Sequence, residues 1–165
     1  MWTALALALA LGASAPAPRP VDAAAPNDAS APADDYGFVA WCEGALGGHM
    51  ALYEIVRPQL DDKARKDGDA TDLKETARMD AERMSAGVEY LALYARALKR
   101  DDARTHRAHA AEADRDRAMG QAIWTAARQA DPTTRMWSWL MWELPARCET
   151  AAHRLEMPAS RKSAH

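Results

Sequence analysis

Apolar side chains recur every three or four residues along most of the chain. From Tyr36 to about Leu60 they run Phe38, Cys42, Ala45, His49, Leu52 and Val56, an alternation of four and three that lines one face of an α-helix. Asp34 or Asp35 stands ahead of this run as the N-cap, where a carboxylate accepts hydrogen bonds from the first free backbone N–H groups. A second seam, about Thr71 to Arg100, carries Leu73, Ala77, Asp80, Met84, Gly87, Leu91, Tyr94 and Leu98. A third, about Ala103 to Ala130, carries Ala103, His106, Ala110, Ala113, Arg117, Gly120, Trp124 and Ala127. The fourth, about Pro132 to Met157, carries Trp137, Met141, Leu144, Cys148, Ala151 and Leu155. It opens on Asp131-Pro132, a cap followed by proline at the first helical position.

The first two seams are separated by a charged connection from Asp61 to Asp69 that contains Gly68. Alanine is abundant, β-branched residues are few, and Asn-Gly or Asp-Gly hairpin turns are absent, so helix is favoured over strand. Four amphipathic segments with short connections predict an all-α fold, an up-down-up-down four-helix bundle. Two features disturb it. Pro145 falls inside the fourth segment, where its ring clashes with the carbonyl of Met141 and should kink or break the helix. The third segment from Asp101 to Ala118 has nothing larger than alanine on its apolar side, so it must pack very closely or lie largely in solvent. It is expected to be the least stable part.

In this topology the first and fourth helices are antiparallel neighbours. Cys42 lies near the start of one and Cys148 near the end of the other, both on the inward seam, which predicts one disulfide joining the two helices. Closing a loop of about a hundred residues is worth up to about 4.7 kcal/mol in the chain-entropy model. The same register puts Met141 opposite His49.

Ahead of the domain, the apolar run Ala4 to Leu11 has the length of a signal-peptide core and is too short to span a bilayer. Pro16 obstructs cleavage after Ala13-Ser14-Ala15, so Val21-Asp22-Ala23 is the better site. The organisation read here is residues 1–23 signal peptide, 24–35 flexible Ala/Pro-rich leader, 36–157 bundle and 158–165 flexible tail. No cysteine follows the apolar run to take a lipid, so no stable membrane anchor is expected after cleavage, and the mature chain belongs in the periplasm or outside the cell. The net charge of −3 offers no electrostatic footprint for nucleic acid.

Three constellations carry chemistry. His49 lies beside Gly44, Gly47 and Gly48, with Met141 opposite and Asp80 on the second helix. This is a candidate ligand pocket, because His and Met on the outer helices are the pair that holds haem in four-helix cytochromes. The disulfide, about 10.5 Å away along the axis, draws the same helices together while haem holds them apart. Covalent haem is excluded by the lack of Cys-x-x-Cys-His. A core histidine bonded to Asp80 is the competing account. Second, His106, His109, Glu112 and Asp116 share one helix face, and counting levels brings His153 and Glu149 to the same end, a candidate site for Zn²⁺, Cu²⁺ or Ni²⁺. Third, Trp139 and Trp142 fall off the seam that holds Trp137, so they either widen the buried face or emerge as an interaction surface.

Catalytic motifs are not found: no Gly-rich phosphate loop, no zincin pattern, and no strand-turn-helix context around Ser85. The segment Trp41-Cys42-Glu43-Gly44, with Gly48 behind it and a signal peptide ahead, resembles exported immunity proteins that neutralise secreted bacterial toxins. The resemblance covers a handful of residues, and the further cysteines of those proteins are absent, so no residue role is carried over. The expected function is that of an exported, non-enzymatic binding or protein-interaction module with an envelope protein as partner and no cofactor. The alternative is a periplasmic metal- or haem-binding carrier or sensor on the same bundle. The oligomeric state is not set by the sequence.

Overall fold

The computed structural model describes residues 30–68, 70–105 and 109–157, without the side chains of residues 67 and 70–72. Among the described residues there is no strand. Six helices follow one another: α1 (Asp35–Asp67), α2 (Ala70–Thr105), α3 (Ala110–Ala122), α4 (Thr125–Gln129), α5 (Pro132–Met141) and α6 (Ala146–Glu156). The all-helical class stands, while the four predicted seams are redistributed over six helices. The common partner is α1, against which α2, α3, α5 and α6 pack, and α6 also packs on α2.

The predicted caps account for where the helices begin. Asp34 accepts from the Gly37 N–H at 2.9 Å, and Asp35 is gripped through both carboxylate oxygens by Arg154 of α6 at 2.6 Å. Asp131 accepts from the N–H groups of Thr133 and Thr134, with Pro132 at the first helical position. The end of α1 differs from expectation: it runs past Leu60 to Asp67, through Pro58. Pro58 is exposed, so solvent can satisfy the carbonyl its ring leaves without a donor. The charged stretch beyond it is made of good helix formers, with Asp62 and Arg65 paired one turn apart and Arg65 and Lys66 against the negative end of the helix dipole.

The third predicted segment is not one helix. Its first residues finish α2, and Ile123 and Trp124 form a turn between α3 and α4. The turn lets the Trp124 indole enter the core, where it donates to the Ala45 carbonyl at 2.7 Å. The alanine-only stretch divides between its two options: Ala103, Ala110 and Ala111 are exposed, whereas Ala113 is buried and the chain from there to Gly120 packs very closely on α1. A Cβ added to Gly44 would stand 1.9 Å from the Arg117 carbonyl oxygen, and one added to Gly120 2.0 Å from that of Trp41. The backbones of α1 and α3 therefore touch, and Arg117 donates to Glu43 across the seam at 2.7 and 3.0 Å.

The fourth segment breaks where Pro145 predicts. Residues 142–145 form no helix, and α6 begins directly after the proline. Cys42 and Cys148 are bonded, with Cα atoms 5.9 Å apart and both side chains fully buried. Around this bridge the core gathers Phe38, Trp41, Tyr94, Trp124 and Trp139.

Candidate binding cleft

His49 sits midway along α1 and faces the place where α5 ends. It is 5 % exposed. Its Nε2 lies 3.1 Å from the Trp139 carbonyl oxygen, while the Trp139 indole N–H donates back to the His49 carbonyl at 3.1 Å. The imidazole stacks on Trp139 (centroids 5.0 Å apart, planes 4° apart) and lies 4.7 Å from Trp142 and 5.3 Å from Trp124. Burial drives its pKa down to about 4, against the raising effect of the Trp139 carbonyl, and Arg83 adds a smaller lowering. The ring is therefore neutral at pH 7. A neutral imidazole facing a carbonyl holds its proton on Nε2, which leaves Nδ1 unprotonated, with the character of an acceptor.

This geometry corrects several expectations. Met141 does not face His49: it is the last residue of α5 and is 66 % exposed. The register counted from the disulfide fails because the chain leaves helical geometry between Met141 and Pro145, and Trp139 takes the inward place instead. His49 and Met141 thus form no axial pair for haem. Asp80 is buried, but His49 bonds to the Trp139 carbonyl and not to it. Burial pushes the Asp80 carboxyl up from its ordinary range, opposed by Arg83. Trp139 and Trp142 do not emerge as an exposed aromatic surface. These residues are 0 % and 8 % exposed and widen the core, whereas Trp137, placed inward by the seam, is 39 % exposed.

The metal constellation is dispersed as far as it is described. His109 Nδ1 meets Glu112 at 2.8 Å, and its ring lies 4.9 Å from that of Tyr36. His153, exposed on α6, has Glu149 at 3.6 Å and Glu156 at 3.8 Å. His106 lies outside the described residues. Among the described residues, no three His, Cys, Asp or Glu side chains gather as a metal site.

The α5–α6 break does create a feature. A half-open cleft of about 300 Å³ lies between α1, α2, Leu140 near the end of α5 and the connecting residues 142–144. From α1 come Leu46, His49 and Met50, and from α2 Met84 and Gly87. Trp142 and Leu144 form the third wall, and Arg83 and Glu143 supply one charge of each sign. The Arg83 guanidinium also lies 5.0 Å from the Trp139 ring centroid. Gly87 makes room for Met50, whose Sδ stands 2.9 Å from where a Gly87 Cβ would be. The sequence marked His49 and put Met84 and Gly87 on an inward seam. It missed Met50, which lies off the seam, and the wall formed by residues 142–144, although Pro145 was the signal for that wall.

No described helix is long and apolar enough to cross a membrane. The predicted signal peptide and tail lie outside the described residues. Compared with known proteins, the chain matches no family model, no curated protein and no solved structure.

Proposed function

We propose that this chain is an exported, non-enzymatic binding module that receives an apolar group of an envelope protein in the cleft between α1, α2 and residues 140–144. The observation that carries the reading is the cleft itself: a concave, mainly apolar site of about 300 Å³ with one acid and one base in its lining. Apolar walls with a few polar groups that orient the ligand are the usual make-up of a recognition site. Its α1 wall is braced, because His49 and Trp139 tie α1 to α5 through reciprocal hydrogen bonds. A neutral histidine held in this way shapes a wall and is poorly suited to proton transfer at pH 7. Export is supported by the apolar run Ala4 to Leu11 and by the use of both cysteines in a buried bridge, a pairing at home in an oxidising compartment.

The test is site-specific photo-cross-linking in cells, with the reactive residue in place of Met84 or Leu144. One envelope protein should cross-link from both positions, and the product should disappear when Ala86→Trp fills the cleft. Ala86 is exposed at the rim, so this variant should fold normally. Equal cross-linking from the position of exposed Arg78, unaffected by Ala86→Trp, would place the contact elsewhere. A mature chain that keeps residues 1–23 and remains in the cytoplasm would remove the export half of the proposal.

A further inference from the structure

The cleft brings together a set of donors that the histidine-carboxylate reading did not use. Met50 and Met84 both line it, together with His49. Their proximity can be argued from the backbone. The Met50 Sδ lies 2.9 Å from the Cβ position of Gly87, and Met84 is three residues before Gly87 on the same helix. Side chains three apart on a helix have Cβ atoms about 5–6 Å from each other, so two flexible thioether arms start within easy reach. His49 precedes Met50 on α1 and borders the same space.

We propose that the inner end of the cleft holds one soft univalent cation, Cu(I) or Ag(I), between Nδ1 of His49 and the thioether sulfurs of Met50 and Met84. Thioether and imidazole donors favour soft univalent copper, whereas Zn²⁺ in proteins takes thiolate, imidazole and carboxylate ligands and Mg²⁺ or Ca²⁺ takes oxygen. The chain has no competing thiolate among its own cysteines, because Cys42 and Cys148 are tied to each other. The bond from His49 Nε2 to the Trp139 carbonyl is the kind of outer contact that fixes the tautomer and aims the other nitrogen of a metal-binding histidine. Trp142, 4.7 Å from the imidazole, helps keep water from the site. The charges at the rim give no net preference for or against a cation. Arg83 borders the cleft and repels cations in proportion to their charge, while Glu143 in the same lining offsets it. This inference does not rest on the protein-partner reading, and either can fail without the other.

The test uses Ag(I), which needs no reductant and so leaves the disulfide intact. The full mature protein is titrated with silver nitrate in a chloride-free buffer by calorimetry, with Zn²⁺ as the contrast. One Ag(I) per chain is expected and no Zn²⁺ at the same concentrations. Met50→Leu and Met84→Leu, which conserve side-chain volume, should each weaken silver binding at least tenfold with an unchanged circular dichroism spectrum. In methionine-methyl NMR the Met50 and Met84 signals should move while those of exposed Met79 and Met119 stay. No silver binding, or binding that the double variant leaves unaltered, would overturn the site.

Discussion

Gly44, Gly47 and Gly48 crowd one stretch of α1 and carry different constraints. A methyl group on Gly44 would collide with the Arg117 carbonyl, and one on Gly48 would stand 2.3 Å from the Trp124 ring, whereas one on Gly47 would meet nothing within 4 Å. Gly47→Ala should therefore stabilise the fold by about 0.5–1 kcal/mol, by restricting the unfolded chain and improving helix propensity. Gly44→Ala should destabilise it by about 1–3 kcal/mol or more, because neither backbone can retreat. Urea unfolding of the two variants checks the opposite signs. His49 gives a second expectation at this scale. Well above pH 6.5 it is neutral in both states and contributes nothing to pH dependence. As pH falls from 6.5 towards 4 the unfolded chain takes up the proton first, so the metal-free fold loses stability, by up to about 3 kcal/mol at roughly 1.4 kcal/mol per unit. Asp80, pushed up by burial, acts in the opposite sense, so the informative quantity is the difference between wild type and His49→Gln. That difference should narrow as pH drops from 7 to 4. The three glycines read alike along the chain, since what separates them is the position of α3 and Trp124, more than sixty residues away in sequence.

At the scale of elements, what the chain revealed was local chemistry. The Asp34 cap, the Asp131-Pro132 start and the break at Pro145 each depend on a few adjacent residues, and each is found in place. The continuation of α1 beyond Leu60 and the turn at Ile123–Trp124 were not legible. The first depends on which face of α1 meets solvent, and the second on a distant carbonyl that receives the Trp124 indole. The seating of α3 is a further case. It rests on the close approach of Gly44 to the Arg117 carbonyl and of Gly120 to that of Trp41, with the partly exposed Glu43–Arg117 pair at the margin. A double-mutant cycle on Glu43→Gln and Arg117→Met should accordingly return a coupling of only about 0.5–1 kcal/mol. A coupling several times larger would make the ion pair, and not the close backbone approach, the main tie between the two helices.

For the whole molecule, the Cys42–Cys148 bridge fastens the start of α1 to α6 across a separation of 106 residues. Replacing both cysteines by serine should cost about 3–5 kcal/mol, with a steeper urea dependence as the unfolded chain expands. An equilibrium urea titration of that variant measures both quantities. The pairing was legible because each cysteine occupies an inward position on its own seam. The facing residues further along were not, since the register extends only as far as unbroken helix, and α5 and α6 are separate. The same break that defeated the His49–Met141 pairing opens the cleft on which the functional proposal rests. Methionine-methyl NMR of the mature protein, mixed with the envelope partner identified by cross-linking, tests binding at the cleft most directly. Met50 and Met84 should shift on complex formation while Met79 and Met119 remain in place. Shifts at Met79 or Met119, with Met50 and Met84 unmoved, would contradict binding through the cleft.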